Sequence, residues 1–281
     1  MRVDAHHHLW DLSVRDQPWT AGMPALRRSF SVDDLRPELA SAGIDATVVV
    51  QTVGVLAETE ELLALAAGEP LITGVVGWVD LTSPSIADDL DRLQDGPGGD
   101  RLVAIRNGAQ DEPDPRWLMR PDVLNGLRQV AARELAYDLL VRPPQFAAAV
   151  DVVGELPEVT FVLDHAGKPD IAGGGFDVWQ PLLQRLAGRA NVSVKLSGLV
   201  TEADVDHWTT ADIRPYAEQL ITSFGPDRVM YGSDWPVCNL AGGYPRVAAL
   251  AAELISELSL DEQKMIMGGT AERWYRWKDA R

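Results

Sequence analysis

Cysteine is nearly absent from this chain, with one, Cys238, in 281 residues. A lone thiol leaves no intramolecular disulfide and suits a reducing compartment. Basic charge is also scarce, since 42 Asp and Glu outnumber 25 Lys and Arg for a formal net charge of −17. Nucleic acid and anionic membrane surfaces are held by clustered Lys and Arg, so the balance argues against both as partners. No uncharged apolar run reaches the roughly 18 residues a spanning helix needs, and no basic stretch leads into an apolar one. The expected address is therefore the cytoplasm. Histidine is rare too, with five in the chain, and three of them are consecutive at His6, His7 and His8.

What is present is apolar and evenly spread. With 46% hydrophobic residues the chain buries a large core. Apolar and β-branched runs at 3–8, 46–52, 72–80, 102–107, 136–142, 160–165, 192–197 and 229–234 read as strands. Amphipathic segments at 32–42, 57–68, 85–94, 122–134, 144–155, 178–190, 213–224 and 244–258 follow them one for one. Alternation of this kind predicts a closed parallel (β/α)8 barrel of the TIM type, one domain over 1–281. The rival is an open doubly wound sheet, which has fewer strands and a phosphate-binding glycine loop after the first, where this chain carries histidines. Helix punctuation agrees with the reading. Ser31 and Ser85 stand as N-caps before acidic first turns, and Gly43, Gly68 and Gly225 stand where helices should stop.

Function in such barrels gathers at the carboxyl ends of the strands. In the first strand side chains alternate, so His6 and His8 share a face and supply half of a metal site. Later strand ends carry Gln51, Trp78 and Asp80, Arg106 with Asn107 and Gln110, Asp138 and Arg142, Asp164 and His165 with Lys168, Lys195 and Ser197, and Ser233, Asp234 and Trp235. Arg106, Arg142 and Lys195 give an acidic protein a positive mouth, which suits a carboxylate, a sulfonate or a hydroxyl-rich ring. Trp10, Trp19 and Trp235 are candidate platforms for a sugar face, with Gln110 as a polar contact, while Trp274 and Trp277 fit core filling at the C-terminus. His207 lies in the polar stretch EADVDHWTTAD and reads as surface.

The segments VDAHHHLWD, LDHAGKPDI, VKLSGL and RVMYGSDWPV resemble the lactonase-like branch of the amidohydrolase superfamily, which holds sugar-lactone hydrolases and pyrone-dicarboxylate lactonase. The resemblance runs from about residue 3 to about residue 277. It implies that His6 and His8 from the first strand, His165 from the sixth and Asp234 from the eighth meet at one mouth as metal ligands and catalytic groups. The implied reaction is hydrolysis of a lactone, an aldonolactone before an aromatic pyrone dicarboxylate. Two departures stand out. Arg106 occupies the place after the fourth strand where binuclear members carry a bridging Lys or Glu, and Lys195 occupies one where metal-dependent relatives often place a histidine. Both argue for one divalent ion at most, zinc before magnesium because imidazole dominates the ligands.

The chemistry requires a nucleophilic water, a base, and a cation or donor set for the oxyanion. Asp234 is the expected base. His6, His8 and His165 either hold the ion or, in a metal-independent enzyme, donate to the oxyanion themselves. A serine route fails because GSDWP lacks the G-x-S-x-G elbow, and nothing near Cys238 activates its thiol. A metal-dependent decarboxylase on the same barrel and a non-catalytic sugar-acid binder remain alternatives. The small-molecule substrate is the expected partner, and the oligomeric state stays open.

Overall fold

The computed structural model describes residues 1–276; Trp277 lies outside them. Eight parallel strands run in sequence order around one sheet: β1 (Val3–His7), β2 (Ala46–Val50), β3 (Ile72–Gly77), β4 (Leu102–Asn107), β5 (Ala136–Leu139), β6 (Phe161–Leu163), β7 (Val192–Leu196) and β8 (Val229–Tyr231). Closure comes just beyond β8, where Trp235 pairs with His7 and its carbonyl accepts from His8 N at 2.7 Å. The helices that cover the sheet are α1 (Val32–Ala42), α2 (Leu56–Gly68), α3 (Ile86–Asp95), α4 (Pro121–Ala132), α5 (Pro143–Glu155), α6 (Phe176–Ala187), α7 (Thr210–Phe224) and α8 (Tyr244–Leu254). No helix among the described residues is long and apolar enough to cross a membrane. The expected barrel is the fold observed.

Local chemistry sets several boundaries. Ser31 and Asp34 make a reciprocal capping box at α1, and Gly43 ends it in the left-handed region at φ 63°. Ser85 precedes α3 without a capping bond, its hydroxyl turned toward Ser83, and Gly68 is the last residue of α2 instead of its cap. Helix α8 stops at Leu254, short of the expected 258, and two further short helices, α9 (Leu260–Lys264) and α10 (Thr270–Trp274), carry the chain under the barrel. Trp274 is half-buried there, its indole donating to the Asp227 carbonyl.

Two apolar masses hold the fold. The larger lies between sheet and helices, and a smaller one fills the barrel floor with Ala5, Val48, Val76, Ala104, Ala136, Val162, Met230 and Tyr275 among others. Strand alternation then lays charge on that floor: Ala104 leads to Arg106, Ala136 to Asp138, Val162 to Asp164 and Ser193 to Lys195, each two residues on and on the same face. An apolar lower layer and an ionic upper layer follow from period two alone.

Candidate active site

Every expected strand end except the fourth overshoots, by one to three residues. The polar residues read as strand termini have left the sheet to turn over the mouth, where ladder bonds no longer restrain them. The sharpest turn is at Asp164–Gly167, where His165, Ala166 and Lys168 hold φ near +50° and Gly167 holds +73°. A left-handed non-glycine residue costs about 1–3 kcal/mol and persists where surroundings over-determine it. Trp179 helps by donating its indole N–H to the Ala166 carbonyl at 2.7 Å. Asp234 is likewise left-handed, at φ 56°. Two glycines make room for the imidazoles: a Cβ on Gly198, itself at φ 65°, would stand 2.5 Å from His165 Nδ1, and one on Gly232 would stand 2.7 Å from His6 Cβ.

These turns bring His6, His8, His165 and Asp234 together. Asp234 Oδ1 lies 3.8 Å from His6 Nε2, 3.4 Å from His8 Nε2 and 4.0 Å from His165 Nε2, and the Nε2 atoms of His6 and His8 are 3.2 Å apart. The edge of a tetrahedron around an ion with ligands at 2.0–2.1 Å is about 3.4 Å. Each ring is oriented from behind. His8 Nδ1 donates to the Val50 carbonyl at 2.8 Å, and His165 Nδ1 meets Ser197 Oγ at 2.9 Å. His6 Nδ1 lies between Asp164 Oδ1 at 3.3 Å and the Lys195 ammonium at 3.0 Å. With Nδ1 donating to Val50, a neutral His8 turns the lone pair of Nε2 toward the Asp234 carboxylate at 3.4 Å, two acceptors that a cation between them would satisfy. Burial pushes His6 well below the usual histidine range and His165 down to about 4, so both are neutral ligands at neutral pH. Despite its burial, Asp234 is held below the usual carboxylate range by His165, His8 and Lys168. The donor set fits one divalent cation.

The carboxylate of Asp4 braces this centre. One oxygen accepts from His6 N at 3.1 Å and Ser233 N at 2.8 Å, and the other from the Tyr244 hydroxyl at 3.0 Å. It joins the ligand-bearing ends of β1 and β8 to α8. Burial raises it to about 6. His7, on the opposite face, is buried with both ring nitrogens unpartnered among the described residues, and burial pushes it down to about 3.

The mouth differs from the positive one expected. Lys195 is fully buried beneath His6, with Nζ 2.6 Å from Asp138 Oδ2, 2.9 Å from Asp164 Oδ1 and 3.0 Å from His6 Nδ1. The Tyr275 hydroxyl, rising from the floor, donates to Asp138 Oδ2 at 2.8 Å. Arg106 borders the cavity but is neutralised by Asp164 at 3.0 Å and donates to the Gln51 carbonyl. With Nη1 3.4 Å from His6 Nε2, it sets a fixed positive charge against the donor set. Physical necessity explains the difference: a buried charge without a partner costs several kcal/mol, and the inward aspartates of β5 and the turn after β6 supply partners.

Above the centre opens a cavity of about 480 Å³. Arg142 and Gln110 line it as expected, and so does Trp19. Trp10 and Trp235 do not: both are buried against Phe30, with ring centroids 5.0 and 5.3 Å from it. Trp78 lines the cavity instead, as do Gln51, Lys168 and Glu202. Glu202 escaped the sequence reading because it sits in no motif and follows a short turn after β7. His207 is exposed, at 82% of its side chain, and Cys238 is buried with its thiol pushed up by burial.

Fold and site together define an α/β barrel with a donor set for one metal ion at its mouth. The chain belongs to the Amidohydrolase family, which it matches over residues 3–277. It is 36% identical over 280 residues to the L-fucono-1,5-lactonase of Burkholderia ambifaria, covering 98% of this chain and 95% of that one. The L-fucono-1,5-lactonase of Burkholderia multivorans is 37% identical over 287 residues, covering 98% and 96%. A crystal structure of an amidohydrolase from Burkholderia multivorans with bound zinc superposes with a TM-score of 0.92 at 37% identity, covering 98% of this chain and 99% of that one.

Proposed function

We propose that this chain opens a sugar lactone of the fuconolactone kind, L-fucono-1,5-lactone or a close stereochemical relative, to the aldonate. It is a lactone hydrolase. One observation carries the reading: a carboxylate among three histidine Nε2 atoms on the floor of a cavity large enough for one pyranose ring, in a chain more than a third identical to two L-fucono-1,5-lactonases.

His6, His8, His165 and Asp234 would hold one divalent ion, zinc by the imidazole-rich set, which would polarise the lactone carbonyl and acidify water. Asp234 is the general base. It takes the proton of the water whose oxygen bonds to the lactone carbon, and returns it to the ring oxygen as that carbon–oxygen bond breaks. Arg142, Gln110 and Trp78 bind the ring, and Arg106 offers the second N–H of Nη2 to substrate oxygen. Lys195 is a positioning residue, acting through Asp164 and the His6 ring. Trp235 acts through its backbone, closing the barrel beside Asp234. A buried, unactivated single thiol supports a cytoplasmic setting.

The test is acid release from L-fucono-1,5-lactone read with a pH indicator against the spontaneous rate, before and after chelation and zinc return. Turnover that falls on chelation and recovers with zinc is expected. Acid release at the spontaneous rate sinks the lactonase reading: carbon dioxide released from a carboxylated lactone offered in parallel then points to decarboxylation, and unchanged ligand tightly held to a binder. Full activity in metal-stripped protein sinks the zinc assignment and makes the imidazoles direct donors to the oxyanion.

A further inference from the structure

Three charged side chains on the cavity wall have no partner among the described residues. The Lys168 ammonium, the Glu202 carboxylate and the Arg142 guanidinium make no hydrogen bond and no ion pair within 4 Å, while Arg106 and Lys195 deeper down are paired. Lys168 and Glu202 are half-buried, and each is the charged group acting most strongly on the other. Burial lowers the lysine and raises the glutamate from their usual ranges, so both bear the cost of lost water without the contact that would offset it. Charges left apart in this way suit a ligand that completes them.

The chemistry of that ligand follows from what can satisfy both at once. A hydroxyl donates its proton to a carboxylate while its oxygen accepts from an ammonium. A carboxylate or sulfonate only accepts: it would satisfy Lys168 or Arg142 and be repelled by Glu202, and with Asp234 and Asp111 the cavity sets three carboxylates against those two unpaired cations. We infer that Glu202, set beside Lys168, is the residue that selects uncharged, hydroxylated lactones and rejects lactones carrying a carboxylate or sulfonate. This rests on the lactonase reading above and names the element that decides which lactones enter.

The experiment compares kcat/KM for a neutral aldono-1,5-lactone and for a lactone of the same ring bearing a carboxylate, in the wild type, Glu202→Gln, Glu202→Asp and Lys168→Met. The wild type is expected to prefer the neutral lactone by about 100-fold or more. Glu202→Gln should raise KM for the neutral substrate about tenfold and shrink the preference at least tenfold by improving the charged one, a change of opposite sign that loss of structure does not produce. Glu202→Asp should keep the preference, and Lys168→Met should weaken both substrates. A wild type that turns over both lactones equally overturns the inference without any variant, and so does an unchanged preference in folded Glu202→Gln. A wild type that hydrolyses neither removes the lactonase reading, and this inference with it.

Discussion

Two sets of charges sit at different depths of one barrel. Arg106, Lys195, Asp138 and Asp164 below the imidazoles number two of each sign, are nearly or wholly buried, and are paired at 2.6 to 3.0 Å. Lys168, Arg142 and Glu202 above them are half-buried or exposed, and are unpaired among the described residues. The lower set cannot be solvated, so it must be neutral within itself and acts as scaffold. The upper set keeps enough water to tolerate isolation and is open to a ligand. Pairing, more than residue type, separates structure from recognition here, and His6 is the joint between them, touching the scaffold through Nδ1 and the reaction centre through Nε2.

The largest effect should come from that centre. Asp234→Asn keeps size and removes basicity, so kcat on fuconolactone should fall about 10² to 10⁴-fold with the thermal midpoint little changed. A kcat within a few fold of wild type at saturating zinc denies Asp234 the role of base.

Breaking the lower set should show in stability first. Lys195→Met leaves buried Asp138 without a cation and Asp164 with Arg106 alone, and should cost about 3–5 kcal/mol, a drop of several degrees or more in midpoint. Asp138→Asn serves if the methionine variant does not accumulate. Loss below about 1 kcal/mol in either would mean the lower charges are not a neutral unit.

The smallest effect on stability should come from the rim. Arg142→Ala removes an exposed, unpaired side chain and should shift unfolding by no more than about 0.5 kcal/mol while raising KM roughly tenfold. An Arg142→Ala variant that unfolds early but binds normally would reverse the comparison.

Much of this molecule was legible in one dimension. Period-two runs and the amphipathic stretches between them carry the eight strands and helices, because burial of apolar faces is a property of spacing. His6 and His8 on one face follow from the same alternation, and motif resemblance brought His165 and Asp234 to them. What misled was depth. Lys195 and Arg106 read as free mouth cations because their partners, Asp138 and Asp164, are distant in sequence. Trp10 and Trp235 read as sugar platforms although they pack on Phe30, while Trp78, which could equally have filled core, lines the cavity.

The sequence by itself determined the order of elements, the ionic layer above an apolar floor, and the types of ligand available, since each depends on neighbours a few residues away. Only the tertiary structure decided which charges cancel, how the left-handed turn at His165 aims its ring, and that Glu202 shares a wall with Lys168. Those outcomes depend on distances between residues from different strands, and barrel closure is what sets them.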